Sequence, residues 1–355
     1  MKSSIVYVGM DFGSFKTSVV ASNGRRETMP TAVGWPKDHV AKALLGCDVL
    51  VGRGVFEQRM ALNIVRPFSK GALKYINSDQ AGVTPEDVKK RKEAAQLLVA
   101  EAVRRLEIPS ATEVYGVIGA PSRAGLDSKK IITDAVDGVF DAVMIVAEPF
   151  AVAFGMDRLT KTLVVDIGAG TTDICPVFGS YPKEEDQITI PIGGDAVDES
   201  FLAELNERHP EAQVSLNMAR QIKEKYGYVH DLDEKCVVSL PVNGRPTMID
   251  VSGALRQSCD TIVGPIVEGI QDAIRRFDPE FQSPLLNNIL LGGGGSGLSG
   301  LDRLIEASLS SYGGGKVAKV HDSVFAGADG ALKLAMSTPE EYWQRLSNPV
   351  EKAAA

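Results

Sequence analysis

Apolar residues in this chain gather in short runs that stop at a carboxylate or a glycine. SSIVYVGMD (residues 3–11) and TSVVAS (17–22) read as two strands around a Gly turn. From TAVGWPKD to about Phe68 short apolar pieces alternate with turn residues, which predicts a small inserted lobe. Residues 86–107 place Leu98, Val99, Ala102, Val103 and Leu106 at helical spacing, with the charges on the other face. EVYGVIGAP and AVMIVAE are buried strands, and Pro149 suits the first turn of a helix running through FAVAFGM.

The second half opens the same way. KTLVVDIGAGTTDICPVF is strand, turn, strand, and QITIPIGGDAVDESFLAELNERHP is a strand, a Gly-Gly turn and a helix. Residues 211–258 form a second inserted stretch, with the helix NMARQIKEKYGY and the strands KCVVSLPV and PTMIDVS. One helix CDTIVGPIVEGIQDAIRRF, strand NNILLGGGG, helix LDRLIEASLSS, strand KVAKV and helix DGALKLAMS follow. Alternating strands and helices indicate α/β architecture. Self-similarity at about 155 residues indicates a duplicated domain, not a solenoid of short repeats. The tail from residue 341 offers a short docked helix through Tyr342, Trp343 and Leu346, and the final alanines are expected to fray.

Composition narrows the class. The 355 residues are 44% hydrophobic and 24% charged, enough for roughly two cored domains and unlike a disordered chain. A net charge of −8 argues against a general nucleic-acid binder but not against one small anion held by backbone N–H groups. Four isolated cysteines predict reduced thiols in a cytosol. No apolar run approaches the roughly 18–20 residues of a membrane helix, so no direct membrane insertion is expected. There is no signal-peptide pattern before Asp11, no GxxxxGK[ST] loop, and no metal or triad constellation among the four His residues.

The two hairpins carry the chemistry. In DFGSFKTS and DIGAGTTD an Asp ends a strand, a Gly turn follows, and Thr begins the return. Such a turn aims successive N–H groups at one spot, which suits phosphate oxygens. Asp11 and Asp166 beside phosphate would repel it unless a cation intervenes, and magnesium takes one or two carboxylates plus phosphate oxygens. Two hairpins facing each other would clamp a polyphosphate. Either hairpin alone is as readily a structural turn; the repeat favours function. Glu148, closing a strand just before Pro149, has the chemistry to orient or deprotonate a water attacking a γ-phosphate, or to stabilise a helix N-terminus.

LLGGGGSGLSGLDRL has two readings. Gly292, Gly294 and Gly297, or Gly295, Gly297 and Gly300, satisfy GxGxxG between a strand and a helix, with Asp322 some 25 residues on, as in a dinucleotide site. Only about 55 residues remain after it, too few for that whole fold, so a flat glycine floor for an adenosine is preferred.

Taken in order, DFGSFKTS, DIGAGTTD, AEPFAVAFG, LGGGGSGL and FAGADGALKLA resemble the phosphate-1, phosphate-2, first connecting, adenosine and second connecting motifs of the actin, Hsp70 and sugar-kinase superfamily. The likeness covers nearly the whole chain. ARQIKEKYGYV, Glu148 before Pro149, and TAVGWPKD, ERHPE and YWQRL resemble bacterial actins, most of all the magnetosome-associated ones. The resemblance implies an actin-like ATPase fold of two duplicated ribonuclease-H-like lobes. Subdomain IA would be 1–33 and 69–160, IB 34–68, IIA 161–210 and 259–340, and IIB 211–258, with 341–355 as a tail. It implies ATP or ADP with Mg2+. Asp11 and Asp166 would hold the metal through water, and Asp166 with Glu148 would serve catalysis. Gly13, Ser14, Phe15 and Lys16 would line one phosphate site, and Gly168, Ala169, Gly170 and Thr171 the other. Lys223 and Glu224 would meet adenine and ribose above Gly293, Gly294, Gly295 and Ser296. Lys16 stands where many relatives carry a small polar residue, and Gly292 leaves the register of the floor open by one.

The implied role is a cytoplasmic filament of the chain with itself, head to tail, organising magnetosomes through adaptor proteins. A non-closing heterologous contact makes such a polymer. Alternatives are a small-molecule kinase of the same superfamily, another bacterial actin for plasmid segregation or cell shape, a chaperone ATPase lacking its peptide domain, and a nicotinamide dehydrogenase on the C-terminal glycines.

Overall fold

The computed structural model describes residues 4–68, 84–121, 126–230 and 235–347, with the side chains of 126–130 excepted. The chain divides into two units: Met1–Asp157 with Val324–Ala355, and Arg158–Ser323.

The first unit is built on a five-stranded sheet. Strands β1 (Ser4–Phe12), β2 (Lys16–Ala21) and β3 (Arg26–Pro30) form an antiparallel meander. A small insertion follows: β4 (Val33–Pro36), α1 (His39–Leu45), β5 (Leu50–Val51), α2 (Arg53–Glu57) and β6 (Leu62–Val65). Its three strands make their own sheet in the order β5-β4-β6, over a satellite core of Ala32, Val55 and Leu62. The chain returns through α3 (Pro85–Arg105), β7 (Thr112–Ala120), α4 (Leu126–Val136), β8 (Ala142–Ala147) and α5 (Glu148–Gly155). β7 and β8 pair parallel to β1, completing the order β3-β2-β1-β7-β8.

Helix α3 starts at a capping box, with Thr84 and Asp87 bonding reciprocally. Its apolar face, Leu98, Val99, Ala102 and Leu106, is fully buried against Val8, Met10 and Ile118 of the sheet, as the spacing predicted.

The second unit repeats the plan. β9 (Thr162–Ile167), β10 (Thr172–Val177) and β11 (Ile188–Ile190) form the antiparallel meander, and α6 (Gly194–Arg208) follows. Its insertion holds α7 (Leu216–Tyr226), the hairpin β12 (Val237–Val242) and β13 (Arg245–Asp250), and α8 (Ser252–Asp260). Helices α9 (Val263–Ile274) and α10 (Pro279–Leu286), strand β14 (Ile289–Gly292), helix α11 (Leu301–Leu309) and strand β15 (Val317–Lys319) complete it. The sheet order is β11-β10-β9-β14-β15, the same permutation as in the first unit. The expected single helix from Cys259 to Phe277 is two, interrupted at Thr261 and Ile262. Pro265 has no N–H for the Thr261 carbonyl four residues back and its ring crowds that carbonyl, and Thr261 turns its hydroxyl back to the Ser258 carbonyl at 2.6 Å.

The last helices, α12 (Ala326–Ser337) and α13 (Glu340–Ser347), belong to the first unit. The expected second-lobe segment 259–340 therefore ends at Ser323 in the packing. The reason is close docking on β1 and α5. The Gly9 position is roofed by Ala328 and Leu332, and a Cβ on Gly155 would stand 2.9 Å from the Gly330 Cα. Ser18 Oγ donates to the Val324 carbonyl at 2.7 Å, and Arg26 pairs with Asp329.

In α13, Trp343 is wholly buried, stacked 5.3 Å from Tyr115, with its indole N–H donating to the Ala335 carbonyl. Tyr342, expected beside it, is half exposed. Trp343→Ala is expected to cost about 3–5 kcal/mol in a denaturant titration; a loss under about 1 kcal/mol would show the tail to be dispensable to the core. The terminal alanines lie outside the described residues. Among the described residues no helix is long and apolar enough to cross a membrane.

Candidate nucleotide site

In the first unit, the predicted residues collect at one edge of the sheet, the C-terminal ends of its parallel strands. In α/β sheets this is the edge where ligands bind. Asp11 lies opposite Ser18 on β2 and Gly119 on β7, and Ala120 lies opposite Ala147, the last residue of β8. Glu148 follows at once in the first turn of α5, with Pro149 beside it. Asp11 and Glu148 thus flank the end of β7. A carboxylate in a helix's first turn complements the helix dipole, and a carboxylate within reach of a water can accept its proton. The first turn of α12 adds a second such field, since a Cβ at Gly327 would sit 3.2 Å from the Asp11 carboxylate.

The turn Gly13–Phe15 is pinned from below. Thr31 donates its N–H to the Phe15 carbonyl and its hydroxyl to the Gly13 carbonyl, each at 2.8 Å, and its hydroxyl lies 2.8 Å from that of buried Thr17. The Arg66 guanidinium lies 4.9 Å from the Phe15 ring and 5.3 Å from that of Phe56 in the insertion. Ser14 is half-buried in the turn, and Lys16 is exposed at the start of β2.

The second unit gathers its own set at the equivalent edge. Asp166 is buried near the end of β9, opposite Gly292 on β14 and Asp173 on β10. Asp173 accepts from the hydroxyls of Thr171 and Thr189 at 3.2 and 2.5 Å, which offsets the cost of setting two carboxylates opposite each other. The turn Gly168–Thr171 closes with the Gly168 N–H on the Thr171 carbonyl at 2.9 Å. The N–H groups of Ala169 and Gly170 donate to no described residue. The carbonyls of this turn are spoken for: Gly168 accepts from the Gly194 N–H at 3.0 Å and Ala169 from the Asp195 N–H at 2.7 Å.

The glycine floor meets the same place. Gly293 has φ +73°, and a Cβ there would overlap the Asp166 carboxylate and the Ile167 carbonyl, so only glycine fits. A tight turn, Gly294–Gly297, follows, closed by Ser296 Oγ on the Gly293 carbonyl at 2.7 Å. Asp166, the turn 168–171 and the run 293–296 are therefore neighbours. Glu224 is exposed on α7. Lys223 is mostly buried, with its ammonium donating to the Gly194 carbonyl at 2.9 Å and ion-paired to Asp198 at 2.7 Å.

Sequence reasoning took IGGD as a simple turn and passed over Asp195, Asp198 and Arg220. The available signal was the matched spacing: two acids three apart on one helix and two bases three apart on another.

The donor chemistry fits magnesium. Each unit supplies at this edge one oxygen carboxylate, the hard donor that such an ion takes while keeping its waters, and backbone N–H groups that suit phosphate oxygens. Among the described residues no group of three or more His, Cys, Asp or Glu side chains is placed to hold a metal by itself. All four cysteines are free thiols. Burial pushes the Cys175 thiol far up and the Cys259 thiol to about 11, while Cys47 is half-buried. Brief alkylation of the native protein is therefore expected to label Cys47 alone; mass spectrometry finding label on Cys175 would show β10 opening in the native state.

A family model for MreB/Mbl proteins matches residues 8–338. The actin-like protein MamK of Paramagnetospirillum magneticum is 35% identical over 343 residues, covering 97% of this chain and 96% of that protein. The solved MamK double helical filament matches with a TM-score of 0.87 and 34% identity, covering 95% of this chain and 100% of that one. A non-polymerising MamK mutant bound to AMPPNP matches with a TM-score of 0.71 and 35% identity, covering 94% of this chain and 100% of that one.

Proposed function

Since the chain belongs to the MreB/Mbl family of bacterial actins, we propose that its two hairpins serve ATP hydrolysis and that nucleotide state governs its assembly. The chain is an actin-like, filament-forming ATPase related to MamK. The observation that carries the site is the repeat itself. The same strand permutation in both units ends in the same Asp-turn-Thr hairpin.

Gly13, Ser14, Phe15 and Lys16 line one side of the phosphates, and Gly168, Ala169, Gly170 and Thr171 the other, chiefly through backbone N–H groups. Asp11 and Asp166 would hold magnesium, which when bound would supply positive charge against that developing on the phosphate oxygens. Glu148 orients the attacking water and takes its proton. Glu224 and the run Gly293–Ser296 flank the nucleoside, and Lys223 reaches the site through the turn it holds. The filament lies in the cytoplasm and organises magnetosomes through adaptor proteins; the likeness to the MamK filament supports the self-assembly on which this role depends.

The test is sedimentation and electron microscopy with ATP, with ADP and with neither, alongside phosphate release without any added acceptor. Polymer with ATP, and turnover rising steeply above a threshold protein concentration, are expected. Turnover that needs a small-molecule acceptor and yields no polymer would instead support the kinase alternative.

A further inference from the structure

Four charged residues of the second unit form one buried network behind the phosphate-2 turn. Asp198, on α6, is fully buried; it accepts a hydrogen bond from Arg220 Nε of α7 at 2.7 Å and is ion-paired with Lys223 Nζ of the same helix at 2.7 Å. Arg220, itself 5% exposed, reaches with its other nitrogen to Asp195 at 2.8 Å. Lys223 also donates to the Gly194 carbonyl at 2.9 Å. Two acids face two bases, so the cluster is neutral and its members are paired, as buried charges require.

The network ends on the turn. Gly194 and Asp195, held by Lys223 and Arg220, donate their own N–H groups to the carbonyls of Gly168 and Ala169. Gly193 packs so closely that a Cβ there would lie 2.6 Å from the Gly168 carbonyl oxygen. Each link is about 3 Å or shorter, and Asp198 and Arg220 at the centre are buried, where salt screens least, while Asp195 at the rim is 24% exposed. The path runs from the inserted α7, through the start of α6, to the backbone whose N–H groups remain available at Ala169 and Gly170.

We propose that Asp198 and Arg220 are positioning residues, which lock Lys223 onto Gly194 and so fix the phosphate-2 turn in its phosphate-binding shape. Lys223 acts through this tie, not as a direct partner of the base or ribose. Occupancy of the turn and the stance of the inserted α7 are thereby linked. The inference rests on the nucleotide reading above.

The test is calorimetric titration of the full-length protein with ADP and with adenosine, for wild type, Asp198→Asn, Lys223→Met and the double variant. Each single change is expected to weaken ADP about tenfold and to leave adenosine within about twofold. The double should be no weaker than the poorer single, because both break one network. Loss of adenosine affinity equal to that of ADP in Lys223→Met would overturn the proposal, as would unchanged ADP affinity in Asp198→Asn. Where a melting curve shows Asp198→Asn unfolded, Arg220→Lys serves instead. It keeps the charge but cannot span Asp195 and Asp198 together, so ADP should weaken again, and unchanged ADP affinity would overturn the proposal. Wild type that binds no ADP would remove the nucleotide reading itself, an outcome distinct from failure of the network alone.

Discussion

Glu148→Ala is expected to retain ATP binding and assembly while slowing phosphate release at least tenfold, about 1.4 kcal/mol in barrier height. The argument joins three links. Locally, an apolar strand ends in an acid and Pro149 starts α5, which places Glu148 in the helix's first turn. In the sheet, β8 stands two strands from β1, so the acid shares its edge with Asp11. Chemically, a carboxylate at a helix N-terminus complements the helix dipole and is a base at that same edge. Removing it leaves the turns that grip phosphate untouched, so affinity for a non-hydrolysable ATP analogue should stay within about threefold. Steady-state phosphate release and analogue titration check both halves. Turnover equal to wild type would remove Glu148 from the chemistry.

A larger structural effect is expected from Gly330→Val, a loss of about 3 kcal/mol or more in unfolding free energy. Helix α12 crosses α5 with no side chain between the backbones: a Cβ at Gly330 would overlap the Ala151 carbonyl. It crosses β1 in the same manner at Gly9. Backbone atoms in a close-packed crossing have no rotamer to retreat into, so the helix must lift off the sheet. Since α5 begins with Glu148 and the first turn of α12 faces Asp11, ATPase activity should fall with stability. The control is Gly264→Ala on the outer face of α9, where a Cβ meets nothing within 4 Å; it should be neutral or stabilise by up to about 1 kcal/mol. Denaturant midpoints for both proteins give the answer, and a Gly330→Val midpoint near that of wild type would refute the close-crossing account.

The strands and the two glycine hairpins were legible in the sequence because both rest on local rules. Apolar runs ending in Asp-x-Gly mark strand ends wherever they occur, and the repeat exposed the duplication. The helix period of α3 marked most of its buried face, although Val103 is only partly buried and the buried Ala94 and Ala95 were passed over. What escaped was non-local. DGALKLAMS is apolar and helical for either sheet, and its docking on β1 depends on Gly9, more than three hundred residues away. The tie between Asp198 and Lys223 likewise needs two helices brought side by side, and nothing in either helix alone separates it from a solvated charged face. The break before α9, by contrast, had a local signal that was passed over: Pro265, preceded by Gly264.

The return of α12 and α13 to the first unit has a consequence for biosynthesis. The second unit is a continuous segment, whereas the sheet begun by β1 lacks α12 and α13, made after the whole second unit, until these leave the ribosome. Tyr7 and Tyr115, which Trp343 will cover, stay wet until then. The later-made unit can therefore complete its core first, and the nascent first unit is the natural client for a chaperone that shields apolar surface.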